Sequence, residues 1–363
     1  NRQIDRLTDR EIVTRGNTMN SSESLQPETS ESPLSTRTLG RRRLLALLGG
    51  TSFGLPALSA FANEWDVVKI SGRDYISDQN VKDFYRFDRF VPSGNDRLFK
   101  HPTLMMRWKI GSQSIYINNI LFSLTYPIIN HGGKAMISTI DLAKLVDPVL
   151  RPSYIKKPIK FGTVVIDAGH GGHDSGAKGV YGFEKNYTLD MAFRLKKALE
   201  QRKFKTQMTR STDVFLSLGQ RVEFANRVKD AIFVSIHFNY SGSRSANGIE
   251  TYALAPQGTR STDGGSYMLG SFLNGNVHDA ENIALATAVH AHVIHELKTT
   301  DRGVKRARFN VLRGINKPAI LFEGGFITNS TEGKRIHTEA YREKLTQAIA
   351  NAVVKFQRAV GKR

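Results

Sequence analysis

From Phe161 onward, apolar runs of strand length alternate with segments of helical period, and this alternation constrains the chain more than any other feature. Strand-like runs stand at "TVVIDA" (163–168), "KTQMT" (205–209), "AIFVSI" (231–236), "IETYAL" (249–254), "FNVLR" (309–313) and "AILF" (319–322). Apolar residues recur at helical spacing through 186–201, 216–229, 280–297 and 339–359. Such an alternation predicts an α/β domain built on a mostly parallel sheet with helices on both faces. Ligands of such sheets lie outside the carboxyl ends of the strands.

That rule selects residues. His170 lies just past "VVIDA", His237 closes "IFVSIH", Glu323 closes "AILFE", and Glu184 in "YGFEKNYTLD" is placed in the loop ahead of the first helix. The chain has no cysteine, so any metal must be held by His, Asp or Glu. Two imidazoles and a carboxylate are the ligand set of a catalytic zinc with one position open, which leaves the second carboxylate to act as a base. Glu323 follows four apolar residues, and a carboxylate at a buried strand end needs a partner or a positive ion.

Spacing leaves alternatives open. His173 and Asp174 compete with His170 as ligands, and Asp167 is a candidate to orient an imidazole from behind. "HAHVIHE" sets His290, His292 and His295 at offsets of two and five, around a helix rather than on one face, and reads as partly exposed decoration. The HExxH pattern of helix-borne zinc sites is absent. His101 and His131 stand alone.

The preceding part of the chain has a different texture. Residues 1–40 are polar and poor in aromatics, a composition expected to stay disordered. Met19 is the first methionine, so residues 1–18 are read as sequence upstream of the start. Residues 41–62, "RRRLLALLGGTSFGLPALSAFA", combine an arginine triplet, a short apolar run and a small-x-small end. They read as a twin-arginine-type signal peptide cleaved after Ala62, which implies export to the periplasm or cell envelope. From 64 to 152, alternating segments such as "VVKISGRDYIS" and "QSIYINNILFSLTYPIIN" predict a small β-rich accessory domain, closed by the helical "STIDLAKLVDPVL". Residues 153–162 read as a linker to a domain at 163–360.

The formal charge is +19, and removing residues 1–62, with eight Lys/Arg and six Asp/Glu, leaves +17. A chain this basic is drawn to polyanions, which outside the cytoplasm means anionic wall polymers or membrane surfaces, and no nucleic acid is expected as a partner.

"VVIDAGHGGHDSGA", "EKNYTLDMAFRLKKALE", "TRSTDVFLSLGQRVEFANRVKDAIFVSIHFN", "GIETYAL" and "DRGVKRARFNVLRGINKPAILFEGGFITN" follow one another as in the zinc-dependent N-acetylmuramoyl-L-alanine amidases, and residues 163–360 resemble that family. The resemblance implies a phosphorylase/hydrolase-like domain with a six-stranded sheet and one zinc ion held by His170, Glu184 and His237. Glu323 would be the catalytic glutamate. It thereby selects His170 over His173. It implies a substrate, peptidoglycan, and a reaction, hydrolysis of the amide between the lactyl group of N-acetylmuramic acid and L-alanine. Asn239 is a candidate to contact that substrate. A wall-binding protein without turnover, or a zinc peptidase or deacetylase of the same polymer, are the competing readings.

Some members of the family cover the site with an inserted helix until a protein activator removes it. The corresponding segment here, residues 255–279, is rich in Gly, Ser, Thr and Asn and has no helical period, so an uncovered site is expected. "INNILFSLTYPIINHGGKAMISTIDLAKLVDP" resembles the small repeat domain found at the N-terminus of copper amine oxidases and in bacterial envelope proteins, which implies an accessory module.

Overall fold

A strand buried on both faces must be apolar at every position, whereas one with a wet face alternates, and the chain contains both kinds. The computed structural model describes residues 36–39, 65–262 and 271–361. The proposed signal peptide at 41–62 and the sequence before Thr36 lie outside them. Thr36–Leu39, inside the stretch expected to lack structure, instead form strand β1.

The N-terminal part contains β2 (Trp65–Ile70), β3 (Arg73–Ser77), α1 (Asp78–Tyr85), β4 (Arg89–Ser93), β5 (Asp96–His101), β6 (Leu104–Lys109), β7 (Ser114–Ile117), β8 (Ile120–Ser123), β9 (Ile129–His131) and β10 (Lys134–Ser138). All pairings among these strands are antiparallel. Helix α1 interrupts the β texture because Ser77 caps it, its side chain accepting from the Asn80 N–H. After β10 come α2 (Thr139–Asp141), a π-helical turn over Leu142–Val146, and α3 (Asp147–Leu150).

The C-terminal part contains β11 (Thr163–Ala168), α4 (Glu184–Gln201), β12 (Lys205–Met208), α5 (Leu218–Arg227), β13 (Ala231–Asn239), β14 (Ile249–Leu254), α6 (Asp279–Leu297), β15 (Asp301–Ala307), α7 (Asn310–Gly314), β16 (Ala319–Phe326), α8 (Ser330–His337) and α9 (Glu339–Gly361). Six strands form the expected sheet, in the order β12-β11-β13-β16-β14-β15, parallel except where β14 meets β16. The sheet does not stop there. β15 bridges β8 at Val304–Phe122, so the N-terminal meander β8-β7-β6-β5-β4 continues it to eleven strands.

One expected strand is corrected. "FNVLR" is helical, with Phe309, Val311 and Leu312 turned together into the core. The strand at that edge is the charged "DRGVKRA" of β15.

Every residue of β13 is buried, and neighbours along the parallel strands point to opposite faces. Val164, Ile166, Ile232, Val234, Ile236 and Ile320 pack under α4, α6 and α9 with Met191, Leu195, Val289, Ile349 and Val353. Val165, Phe233 and Leu321 pack on the other face with Ala225 of α5 and Val311 of α7. Each such side chain contributes about 1.5–3 kcal/mol on full burial. The first core runs without a break into the N-terminal part, through Trp65, Phe99, Trp108 and Phe122. The stretch 153–162 contributes Ile155 and Phe161 to it, and Phe161 stacks on Phe204 and Phe356. Among the described residues, no helix is long and apolar enough to cross a membrane.

Candidate metal centre

The carboxyl ends of β11, β13 and β16 meet at one rim, and side chains from all three converge there with the start of α4. In the strand register Ala168 pairs with Ile236, and His237 pairs with Glu323. Glu184 is the first residue of α4 rather than a loop residue, so its carboxylate lies at the positive end of the helix. Gly169 is required by proximity, since a Cβ there would stand 2.3 Å from the His237 ring.

One ligand atom from each of His170, Glu184 and His237 falls within 4.8 Å of the others. Glu184 Oε1 lies 3.0 Å from His237 Nδ1 and 3.1 Å from His170 Nε2. Two backbone donors fix this carboxylate, Phe238 N–H to Oε1 and Ala177 N–H to Oε2. His170 Nδ1 faces Asp174 Oδ2 at 2.9 Å, which orients the imidazole with Nε2 toward Glu184. Asp174 thus serves as the carboxylate behind the histidine, and it does not compete as a ligand. Asp167, the other candidate for that place, accepts instead from Arg221, Thr209 and Ser235. His173 is exposed and lies against Phe215 in a tilted ring contact, with centroids 4.1 Å apart.

The donor set fits a divalent metal on an observation of its own. Glu323 Oε2 is a buried polar atom with no hydrogen-bond partner, a costly arrangement unless something binds there, and His170 Nε2 has Glu184 Oε1 at 3.1 Å but forms no aligned hydrogen bond with it. Nitrogen, nitrogen and carboxylate oxygen suit zinc. Burial, lowering the imidazolium, is outweighed by Glu184 and then Asp174, which raise His170 to about 10. Glu323 is raised well above the ordinary carboxyl range, first by burial and then by the charges of Glu184 and Glu250.

Sequence reasoning did not single out Glu250, which pairs across the sheet with Glu323 and is 1 % exposed. It accepts from Asn239 Nδ2, Tyr252 O–H, Arg302 and Lys305. Burial would raise its carboxyl, but Lys305, Arg302 and Tyr252 prevail and hold it at about 2. Asn239 is buried, with its amide nitrogen engaged by Glu250 and its oxygen by the Tyr240 N–H. The helical histidines divide. His295 is exposed as expected, but His290 is fully buried between Thr251 and Asp301, which corrects its reading as decoration.

The model of the Amidase_3 family, N-acetylmuramoyl-L-alanine amidase, matches residues 164–355. The chain is similar to the uncharacterized protein YqiI of Bacillus subtilis, at 36% identity over 198 residues covering 54% of this chain and 85% of YqiI. It is also similar to the N-acetylmuramoyl-L-alanine amidase LytC of Bacillus subtilis, at 33% identity over 204 residues, 56% of this chain. There the match spans only 37% of LytC's length. Among solved structures, the catalytic domain of CwlV, an N-acetylmuramoyl-L-alanine amidase from Bacillus (Paenibacillus) polymyxa var. colistinus, is 34% identical. That match covers 55% of this chain and 99% of CwlV's domain, with a TM-score of 0.47.

Proposed function

The chain belongs to the N-acetylmuramoyl-L-alanine amidase family, and from that premise we propose that it hydrolyses the amide joining the lactyl group of N-acetylmuramic acid to the L-alanine of the stem peptide in peptidoglycan. The observation that carries this reading is the convergence of His170, Glu184 and His237 beside the buried, unpartnered oxygen of Glu323.

His170 through Nε2, Glu184 through its carboxylate and His237 through Nδ1 would hold zinc. Zinc supplies a Lewis acid for the amide carbonyl and makes water more acidic. The remaining work belongs to the chain. Glu323, shielded from solvent and repelled by two carboxylates, has a high affinity for a proton. It takes one at Oε2 from the attacking water and delivers it to the departing alanine nitrogen, acting as base and then acid. Asp174 holds the His170 ring in the tautomer that leaves Nε2 free for the metal. Asn239, tied to Glu250, supports the rim and contacts substrate only through what its neighbours leave exposed. Phe183, Phe215 and Tyr240, each adjacent to the site in sequence or through a contact, expose their rings and offer apolar surface to a polymeric substrate.

We read the biological setting as that of an exported enzyme, carried by the twin-arginine-type signal expected at 41–62, that remodels the cell wall or separates daughter cells, a reading supported by the family and the basic charge. Digestion of purified peptidoglycan by the zinc-loaded protein, read by mass spectrometry, tests the bond assignment. Soluble peptides beginning with free L-alanine, and glycan left intact, are expected. Cleavage within the stem, or release of acetate, would assign the site to a peptidase or a deacetylase.

A further inference from the structure

His170 occupies the left-handed region at φ 61°, unusual for any residue but glycine. Nothing in the imidazole demands this; the backbone on either side does. The carbonyls of Ala168, Gly169 and His170, three in succession where β11 ends, all accept from two buried guanidinium groups. Arg210 donates from Nε to Ala168 at 2.9 Å and from Nη2 to Gly169 at 2.8 Å. Arg221 donates from Nη1 to Ala168 and from Nη2 to His170, each at 2.7 Å. Thr188 adds a hydroxyl donor to the Gly169 carbonyl at 2.8 Å.

Both arginines are 3 % exposed. Arg221 is neutralised by Asp167 at 2.7 Å, itself fixed by Thr209 and Ser235. Arg210 forms no ion pair among the described residues. Its remaining donors go to the carbonyls of Thr212 and Lys185 and to the Thr188 hydroxyl. Burying two like charges side by side costs free energy that a turn with no further duty could avoid with neutral donors. A rigid planar fork, however, fixes several carbonyls at once, which a lysine ammonium cannot do.

We propose that Arg210 and Arg221 are positioning residues for the metal: together they clamp three consecutive carbonyls, hold His170 in its left-handed conformation and so aim its Nε2 at Glu184 and His237. The inference rests on the metal-centre reading above. It assigns the arginines no contact with substrate. Their effect passes entirely through the His170 backbone.

The test compares Arg221→Lys and Arg210→Lys with wild type in the full chain. Zinc affinity is measured by competition with a chromophoric chelator, the visible spectrum is recorded after cobalt loading, and the melting temperature is taken without metal. Loss of an outer partner of a ligand typically costs 10–100-fold in metal affinity, and a loss of about that size with an altered cobalt spectrum is expected. Arg306→Lys serves as the control, because Arg306 is equally buried but touches no part of the ligand loop; it should lower the melting temperature and leave zinc affinity unchanged. Thr188→Val removes, without a change of charge, one donor to the Gly169 carbonyl and one acceptor of Arg210, and a smaller weakening in the same direction is expected should the arginine variants not fold. Variants that melt lower but bind zinc and give the cobalt spectrum of wild type would overturn the proposal. Wild-type protein that binds neither metal would overturn the metal-centre reading and this inference with it, whereas metal binding without release of L-alanine peptides would overturn only the reaction.

Discussion

The two halves of the eleven-stranded sheet share one hydrogen-bonded run and one core, yet they treat polar side chains in opposite ways. In the antiparallel half, strand burial alternates and most strand charges are left in water, as with Asp96, Lys100, Arg107 and Lys109, the exception being Arg97, buried against Asp78 at 2.7 Å. In the parallel half, helices cover both faces, and Asp167, Arg210, Arg221, Glu184, Glu250 and Glu323 are all buried. A polar group taken out of water must find partners or destabilise the fold. The parallel half therefore places interlocked networks at its strand ends, and the one oxygen among them left without a partner, Glu323 Oε2, lies beside the cluster of His170, Glu184 and His237. Chemistry is concentrated where desolvation makes each charge count most.

Four substitutions probe that contrast. The largest effect is expected from His237→Ala, which removes a ligand. Zinc affinity should fall by more than the roughly 10–100-fold associated with an outer partner, taking the amidase activity with it, as metal analysis after dialysis and product release would show. Phe99→Ala, in the fully buried core of the antiparallel half, should cost about 3–5 kcal/mol in urea unfolding. Zinc affinity and turnover well below the melting temperature should not change. A loss of zinc affinity there would break the division between the halves.

Glu250→Gln is next in size and sharpens the electrostatic side. The wild-type carboxyl is held at about 2 against an ordinary 4.5, so its stabilisation is present above about pH 4.5 and is lost as pH falls through 2. The difference corresponds to something on the order of 3 kcal/mol. In chelator-treated protein, the urea midpoint of wild type should decline over that window more steeply than that of the variant. Parallel curves would show that Arg302 and Lys305 do not hold the charge. The smallest effect belongs to Lys69→Ala, which breaks an exposed pair and should change unfolding free energy by about 1 kcal/mol or less.

The sheet, and the strand-end positions of His170, His237 and Glu323 on its rim, were legible in sequence because both follow local rules. Strands buried on both faces read as unbroken apolar runs, and residues just past them fall on the functional rim. What escaped was set by distant partners. β15 carries Asp301, Arg302, Lys305 and Arg306 in seven residues and does not look like a strand; it becomes one because Glu250 on β14 neutralises Arg302 and Lys305 across the sheet. "FNVLR" is too short for its period to be assigned, and only its packing shows the helix. Arg221 gave a signal that could have been read, an arginine four residues before Ala225 on the buried face of an otherwise apolar helical stripe. His290 gave none, since Thr251 and Asp301 reach it from β14 and β15. The choice between His170 and His173 likewise depended on Asp174 and the fold of the turn, which spacing does not encode.

The central claim is that zinc held by His170, Glu184 and His237 works together with a proton carried by Glu323. The most direct test is Glu323→Gln, assayed in parallel for zinc content and for release of peptides with free L-alanine from peptidoglycan. The account predicts one zinc per chain, an unchanged melting temperature, and release slowed by about 10²–10⁴-fold, the range associated with loss of a positioned acid–base group. Release at the wild-type rate from a zinc-loaded Glu323→Gln protein would contradict it.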